Sequence, residues 1–355
     1  MMIRRFTRQF SVALALCLCG SFLSLSVGTS AANEPIEQEQ SFHISLTDND
    51  VQLPGSIKTL NDRAAFTFAV MSDNKGDSPD NSTPMKNCVD QVDSLKARFI
   101  IGLGDHLTHR RAPKTFPNSF VGLLKTNRLW QRHFYPNIAD GENAYYGRGQ
   151  DDWGAGGQLL TDLKMKDWPE VSLRDNGCEY YAKVELGNHI VHVVQLHYSD
   201  NPRDPKQAFR EDSRRYMVET LNRIDKKNNR DLVIVCAHTG NWPGVLSREH
   251  RKALFDKADL IFGATTHKFQ RYPYADDLPL VINTGAVGHR HPDGPHNGWV
   301  SAHVFDNPFC VLLQYQNSDE KLLRTVRNKQ AFVKVIGRKT HAVRFVATND
   351  SPNKK

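Results

Sequence analysis

FAVMSDNKG, residues 68–76, and FIIGLGDH, residues 99–106, decide how this chain is read. Each is a short run of β-formers that stops at an aspartate, Asp73 in the first and Asp105 in the second. Working outward, two more stretches repeat the design. VIVCAHTG, 233–240, ends at His238, and DLIFGATTHKFQR, 259–271, carries His267 just past its apolar core. Between such runs lie helical patterns. Met85, Cys88, Val89 and Val92 recur at i, i+3, i+4 and i+7 behind Thr83-Pro84, which reads as a helix start. Met217, Leu221 and Ile224 mark a second helix, and Ser247–Ala258 a third. Tyr180–Leu186 and Ile190–His197 flank Gly187-Asn188 as a hairpin. Leu232–Cys236, a strand ending before His238, is followed by strands at Leu260–Phe262 and Leu280–Asn283, and from Trp299 to about Val346 the chain is strand-like. The pattern is β-rich α/β. In open α/β sheets ligands gather outside the carboxyl ends of strands, which is where Asp73, Asp105, His238 and His267 fall. Carboxylates mixed with imidazoles suit Zn, Mn or Fe better than Ca or Mg.

Composition fits a folded chain: 355 residues, 39% hydrophobic and 24% charged, with a formal net charge of +7. The one long uncharged run is N-terminal, which argues against a polytopic membrane protein. Arg4, Arg5 and Arg8 precede an apolar stretch from Val12 to Val27, and no charge follows until Glu34. Ser30-Ala31-Ala32 places small residues at a cleavage site, so residues 1–32 read as a signal peptide and the mature chain is expected to be exported, periplasmic or secreted. Cys17 and Cys19 each follow a leucine, which disfavours lipidation. Residues 33–63 show no clear period and read as a lead-in, 64–348 as one domain, and 349–355 as a loose tail. Cleavage removes three arginines, leaving a mildly basic chain suited to an anionic substrate. No basic stripe interleaved with aromatics points to nucleic acid. No CxxC pair supports a cysteine-rich zinc site, and Cys236 and Cys310, inside apolar runs, read as buried thiols.

With these four stretches and LVINTGAVG, 280–288, in order, the sequence resembles the calcineurin-like metallophosphoesterases from about Phe66 to about Val287. The resemblance implies a four-layer αββα sandwich of two mixed sheets and a site for one or two divalent metal ions, Zn, Mn or Fe. It implies hydrolysis of a small phosphorylated substrate. Residue by residue, Asp73 matches the first motif's aspartate, but Lys75 stands where its histidine belongs. Asp105 would be the carboxylate shared by both ions. The third motif is broken: either Glu142 takes the ligand place and Asn143 that of the catalytic histidine, or Asp140 and Gly141 do. His238 is intact. In the last motif Thr265 replaces the first histidine and His267 supplies the second.

One ion would then use Asp73, Asp105 and His267. The other would use Asp105, Glu142 (or Asp140) and His238. An ammonium is a hydrated cation with three donors, and Lys75 between Asp73 and Asp105 would stand in for the first ion. With Asn143 at the histidine's place, the proton donor is missing, and His106, His109 or a histidine of the 289–296 loop are candidates. Arg110 and Arg111 could hold phosphate oxygens. Gly187-Asn188-His189 mimics the third motif but sits in a hairpin. Gly288-His289-Arg290-His291 mimics the last one but follows the strand that normally comes after it. His289 and His291 nonetheless lie in a loop with Asp293 and His296 that would lie over the site, or be merely exposed. Two function classes stay open: an exported phosphoric-ester hydrolase with an altered metal site, and a non-catalytic protein of the same fold that binds a phosphorylated ligand or metal.

Overall fold

The computed structural model describes residues 42–46, 49–53, 57–73, 79–104, 133–137, 163–174, 178–197, 211–226, 230–275, 277–287, 297–306, 309–321, 323, 331–336, 340–342 and 346–347. Two seven-stranded mixed sheets build the sandwich. Sheet I contains β3 (Phe66–Met71), β4 (Ile100–Gly102), β5 (Phe134–Pro136), β13 (Gly298–Asp306), β14 (Phe309–Asn317), β15 (Ala331–Val335) and β16 (Thr340–Ala342), in the order β16-β15-β14-β13-β3-β4-β5. Sheet II contains β6 (Val171–Leu173), β7 (Tyr180–Leu186), β8 (His189–Gln195), β9 (Asp231–Thr239), β10 (Leu260–Ala264), β11 (Phe269–Arg271) and β12 (Leu280–Thr284), in the order β11-β12-β10-β9-β8-β7-β6. A small third sheet pairs β1 (Phe42–Leu46) with β2 (Asn49–Leu53) and β17 (Val346–Ala347).

Alternation of side chains explains the layers. Along β9, Leu232, Ile234 and Cys236 enter the core between the sheets, while Val233, Val235 and Ala237 face the other way. That outward face is covered by Met217 and Leu221 of α3 (Glu211–Arg223) and Leu254 of α4 (Arg248–Lys257). Both faces are apolar because both are covered, as expected of parallel strands. On sheet I, Phe66, Phe68 and Val70 pair with Val304, Ala302 and Val300. The outer side carries α2 (Pro79–Leu95), whose Gln91 Oε1 accepts from Trp299 Nε1 at 2.7 Å. The result is helix, sheet, sheet, helix, the αββα sandwich implied by the resemblance.

The lead-in 33–63 carries β1, β2 and α1 (Ile57–Arg63). Two local expectations change. α2 starts at Pro79, so Pro84 lies inside the helix rather than at its first position. β9 runs through His238 rather than stopping before it. The hairpin at Gly187-Asn188 is as expected, with Gly187 at φ 62. Cys88, Cys178, Cys236 and Cys310 are all buried. Burial pushes the Cys310 thiol up to about 12. Among the described residues no helix is long and apolar enough to cross a membrane. Residues 1–32 and 349–355 lie outside the described residues.

Candidate active site at the shared strand edge

β3, β4 and β5 run parallel in sheet I, and β8, β9, β10 and β12 run parallel in sheet II. Their carboxyl ends meet at one edge of the sandwich. Ser72 Oγ donates to Gly285 O at 2.6 Å, and Val287 N donates to Ser72 O at 3.1 Å, tying the end of β3 to that of β12.

At this edge Asp73 follows β3 and His267 follows β10. His267 Nε2 lies 2.9 Å from Asp73 Oδ1, across the seam. The Asp73 side chain is only 1% exposed and that of His267 18%. Both residues, and Thr265 between strand and histidine, have left-handed backbones, at φ 50, 53 and 68. For residues with a Cβ this conformation carries strain, and for β-branched Thr265 it is rarer still. Strain of this kind gathers at functional sites. It survives here because the loop is held at both ends. Thr265 Oγ1 donates to His238 O at 2.9 Å, Thr266 N to Ala264 O at 2.8 Å, and Asn283 Nδ2 to Lys268 O.

His238 is aimed by a bulge. β9 and β10 keep one register up to Phe262 opposite Cys236, then resume with Ala264 opposite Thr239. Ala237 and His238 therefore oppose the single residue Gly263. A side chain at Gly263 would run into the carbonyl oxygens of Thr239 and Gly240, so only glycine allows the strands to stay this close. Bulges of this kind re-aim a side chain next to a site. His238 reaches over to sheet I, where its Nδ1 lies 2.6 Å from Leu103 O. A carbonyl can only accept, so Nδ1 carries the hydrogen and Nε2 the lone pair.

These donors fit a metal ion. Asp73 and His267 stand at hydrogen-bond distance, 2.9 Å, and a carboxylate beside imidazoles is a donor set that suits Zn, Mn or Fe. His238 shows the backbone-anchored tautomer that ligating histidines adopt. Among the described residues no three of His, Cys, Asp and Glu stand together as a closed cage. Asp73 stands with His267, and His238 stands on Leu103 O. Asp105 follows in sequence after Gly104, which sits at φ 95 with its O accepting from Asp73 N at 3.1 Å. Lys75, Asp105, His106, His109, Arg110, Arg111, Asp140, Glu142, Asn143, His289 and His291 lie outside the described residues.

Sequence reasoning missed three buried polar residues here. Asn137 follows β5, Gln195 ends β8, and His197 comes two residues later. His197 N donates to Glu179 Oε1 at 3.3 Å, and the fully buried Glu179 also pairs with Arg174. The same strand-end position that flagged Asp73 and His238 would have flagged them, but β5 is too short to show a period.

A dimetal phosphatase from Danio rerio superimposes with a TM-score of 0.53 at 12% identity, over 72% of this chain and 97% of that one. GAP50, the anchor in the inner membrane complex of Plasmodium, matches at a TM-score of 0.45 and 13% identity, over 79% and 89% of the two chains. No family model and no curated protein matches the sequence. The fold is that of the calcineurin-like metallophosphoesterases.

Proposed function

We propose that this protein is an exported, metal-dependent phosphoric-ester hydrolase acting on a small phosphorylated substrate, with an altered and at most singly occupied tight metal site. The observation that carries the reading is the Asp73–His267 pair, brought together from opposite sheets in left-handed backbone beside a tautomerically fixed His238. Asp73, Asp105 and His267 would form one half of the site, and Asp105, Glu142 (or Asp140) and His238 the other. A bound divalent cation supplies Lewis-acid stabilisation of phosphoryl charge and a water of lowered pKa. The chain's own groups do the rest. Arg110 and Arg111 would hold phosphate oxygens, and His289 and His291 would contact the substrate. With Asn143 at the place of the catalytic histidine, protonation of the leaving group would fall to His106, His109 or a histidine of the 289–296 loop. This keeps turnover slow, since general acid catalysis is worth ~10²–10⁴-fold.

One observation favours a non-catalytic binder of a phosphorylated ligand or metal. Thr265, at the place of a ligand histidine, gives its hydroxyl hydrogen to His238 O. Metal analysis of the purified protein, with hydrolysis of p-nitrophenyl phosphate and its bis-ester, decides. About one equivalent of Zn, Mn or Fe with slow turnover supports the hydrolase. Tight metal or phosphate binding with no turnover above a His238→Ala control supports the binder. A protein that takes up neither metal nor phosphate overturns both. Export is tested by the N-terminus of the native protein, expected at Asn33.

A further inference from the structure

Asn137 and Gln195 are fully buried, and neither belongs to the proposed ligand set. Asn137 Nδ2 donates to Gln195 Oε1 and to Leu196 O, both at 2.9 Å. Gln195 Nε2 donates to Tyr135 O at 2.9 Å and to Gly102 O at 3.2 Å. Asn137 N also donates to Gly102 O, at 2.7 Å. All four amide hydrogens are therefore used, three of them on main-chain carbonyls. Turning either amide over would set oxygen against oxygen, so each side chain has one orientation. The bonds cross the seam, from β5 of sheet I to β8 of sheet II. They converge on Gly102, the last residue of β4. The next residue, Leu103, supplies the carbonyl that holds His238, and the turn at Gly104 leads to Asp105.

The arrangement is not explained by hydrogen-bond satisfaction alone. Asn137 Oδ1 is buried and has no hydrogen-bond partner among the described residues. An apolar pair of similar volume would avoid that orphan acceptor. What an apolar pair would lack is direction, because apolar contact leaves two sheet edges free to slide. We propose that Asn137 and Gln195 are positioning residues. They clamp the Gly102–Gly104 turn against the β8–β9 edge and so set how far His238 stands from the Asp73–His267 pair. The consequence for metal binding rests on the hydrolase reading; the clamp itself does not.

The test uses the full mature chain with Gln195→Met, which keeps the stem and removes both polar atoms. The double variant Asn137→Leu/Gln195→Met removes both amides together, so neither side chain is left facing the loss of the other, and it serves if the single one folds poorly. Gln316→Met is the control. It removes a buried amide on β14 that donates to Ser301 Oγ at 2.8 Å, four strand positions from β5 in sheet I. Hydrogen exchange of the metal-free proteins reads the clamp. Leu103, Asn137 and Leu196 amides should exchange at least ~10-fold faster in the clamp variants and unchanged in the control. Titration with Co²⁺ reads positioning. Its dissociation constant should rise ~10–100-fold in the clamp variants, the scale of losses from supporting groups behind metal ligands. The visible cobalt spectrum should change with it, and the control should match the wild type in both. Unchanged exchange overturns the clamp whatever the metal does. Faster exchange with an unchanged cobalt constant and spectrum overturns the positioning role. A wild-type protein that takes up no Co²⁺ overturns the hydrolase reading and the positioning role with it, while the exchange data still report on the clamp.

Discussion

Asp73 and His267, 194 positions apart in the chain, meet at 2.9 Å across the seam between the two sheets, each in a left-handed backbone conformation. Neither residue is comfortable alone. The carboxylate is buried, and both backbones pay roughly 1–2 kcal/mol for the sign of φ. Their pairing offsets part of that cost. His267→Ala should therefore lower stability by about 1–3 kcal/mol, because it leaves the Asp73 carboxylate facing an empty place. Urea denaturation of the metal-free protein measures this. A change below about 0.5 kcal/mol would show that the pair contributes nothing to the fold.

Gly263 is a second point of tension. Gly263→Ala should cost more than about 2 kcal/mol, because its Cβ meets backbone oxygens of Thr239 and Gly240 rather than a movable side chain. The neighbouring His238 should lose its bond to Leu103 O. Thermal unfolding gives the first effect, and the imidazole resonance of His238 gives the second. Wild-type stability with an unmoved resonance would mean that the strands can separate without cost.

His303 sets a pH dependence. It is fully buried on β13, with neither ring nitrogen hydrogen-bonded among the described residues, and burial lowers its pKa to about 4. The unfolded value is ~6.5, so between these values the unfolded chain binds more protons than the folded one. Stability is complete above pH ~6.5 and falls as pH drops towards 4, by up to about 3 kcal/mol from this residue. His303→Leu should flatten that part of the profile and raise stability at pH 5. Denaturation midpoints at pH 4.5, 5.5 and 7 provide the check. Parallel profiles for the two proteins would exclude His303 as the source.

Metal number tests the role given to Lys75. Two unit charges ~4 Å apart interact with ~4 kcal/mol at an effective dielectric of ~20, doubled against a dication. A protonated Lys75 between Asp73 and Asp105 would exclude the first ion. Metal content by mass spectrometry should be at most one tight equivalent, rising towards two in Lys75→His/Thr265→His. Adding Asn143→His should raise phosphodiester turnover. Two equivalents in the unmodified protein would remove Lys75 from the site.

The sequence by itself determined the strand-and-helix order and the end of the sheet at which polar residues collect. The short, β-branched apolar run Leu232–Ala237 fits a strand buried on both faces, and Asp73 and His238 stand where such runs end. It also carries Lys75, Thr265 and Asn143 where the resemblance implies histidines, since a motif is local. It did not give β5, three residues long, nor β1 and β2, too brief for a period to emerge. Nor did it separate Thr83-Pro84 from Pro79 as the start of α2, because both prolines satisfy the same local rule. Only the tertiary structure decided that Asp73 faces His267, that a bulge opposite Gly263 turns His238 onto Leu103, and that Asn137 locks onto Gln195. Each of these relations crosses between strands or sheets. Apolar packing brings the sheets together without direction, and the register that then results depends on residues far apart in the chain, which no local pattern records.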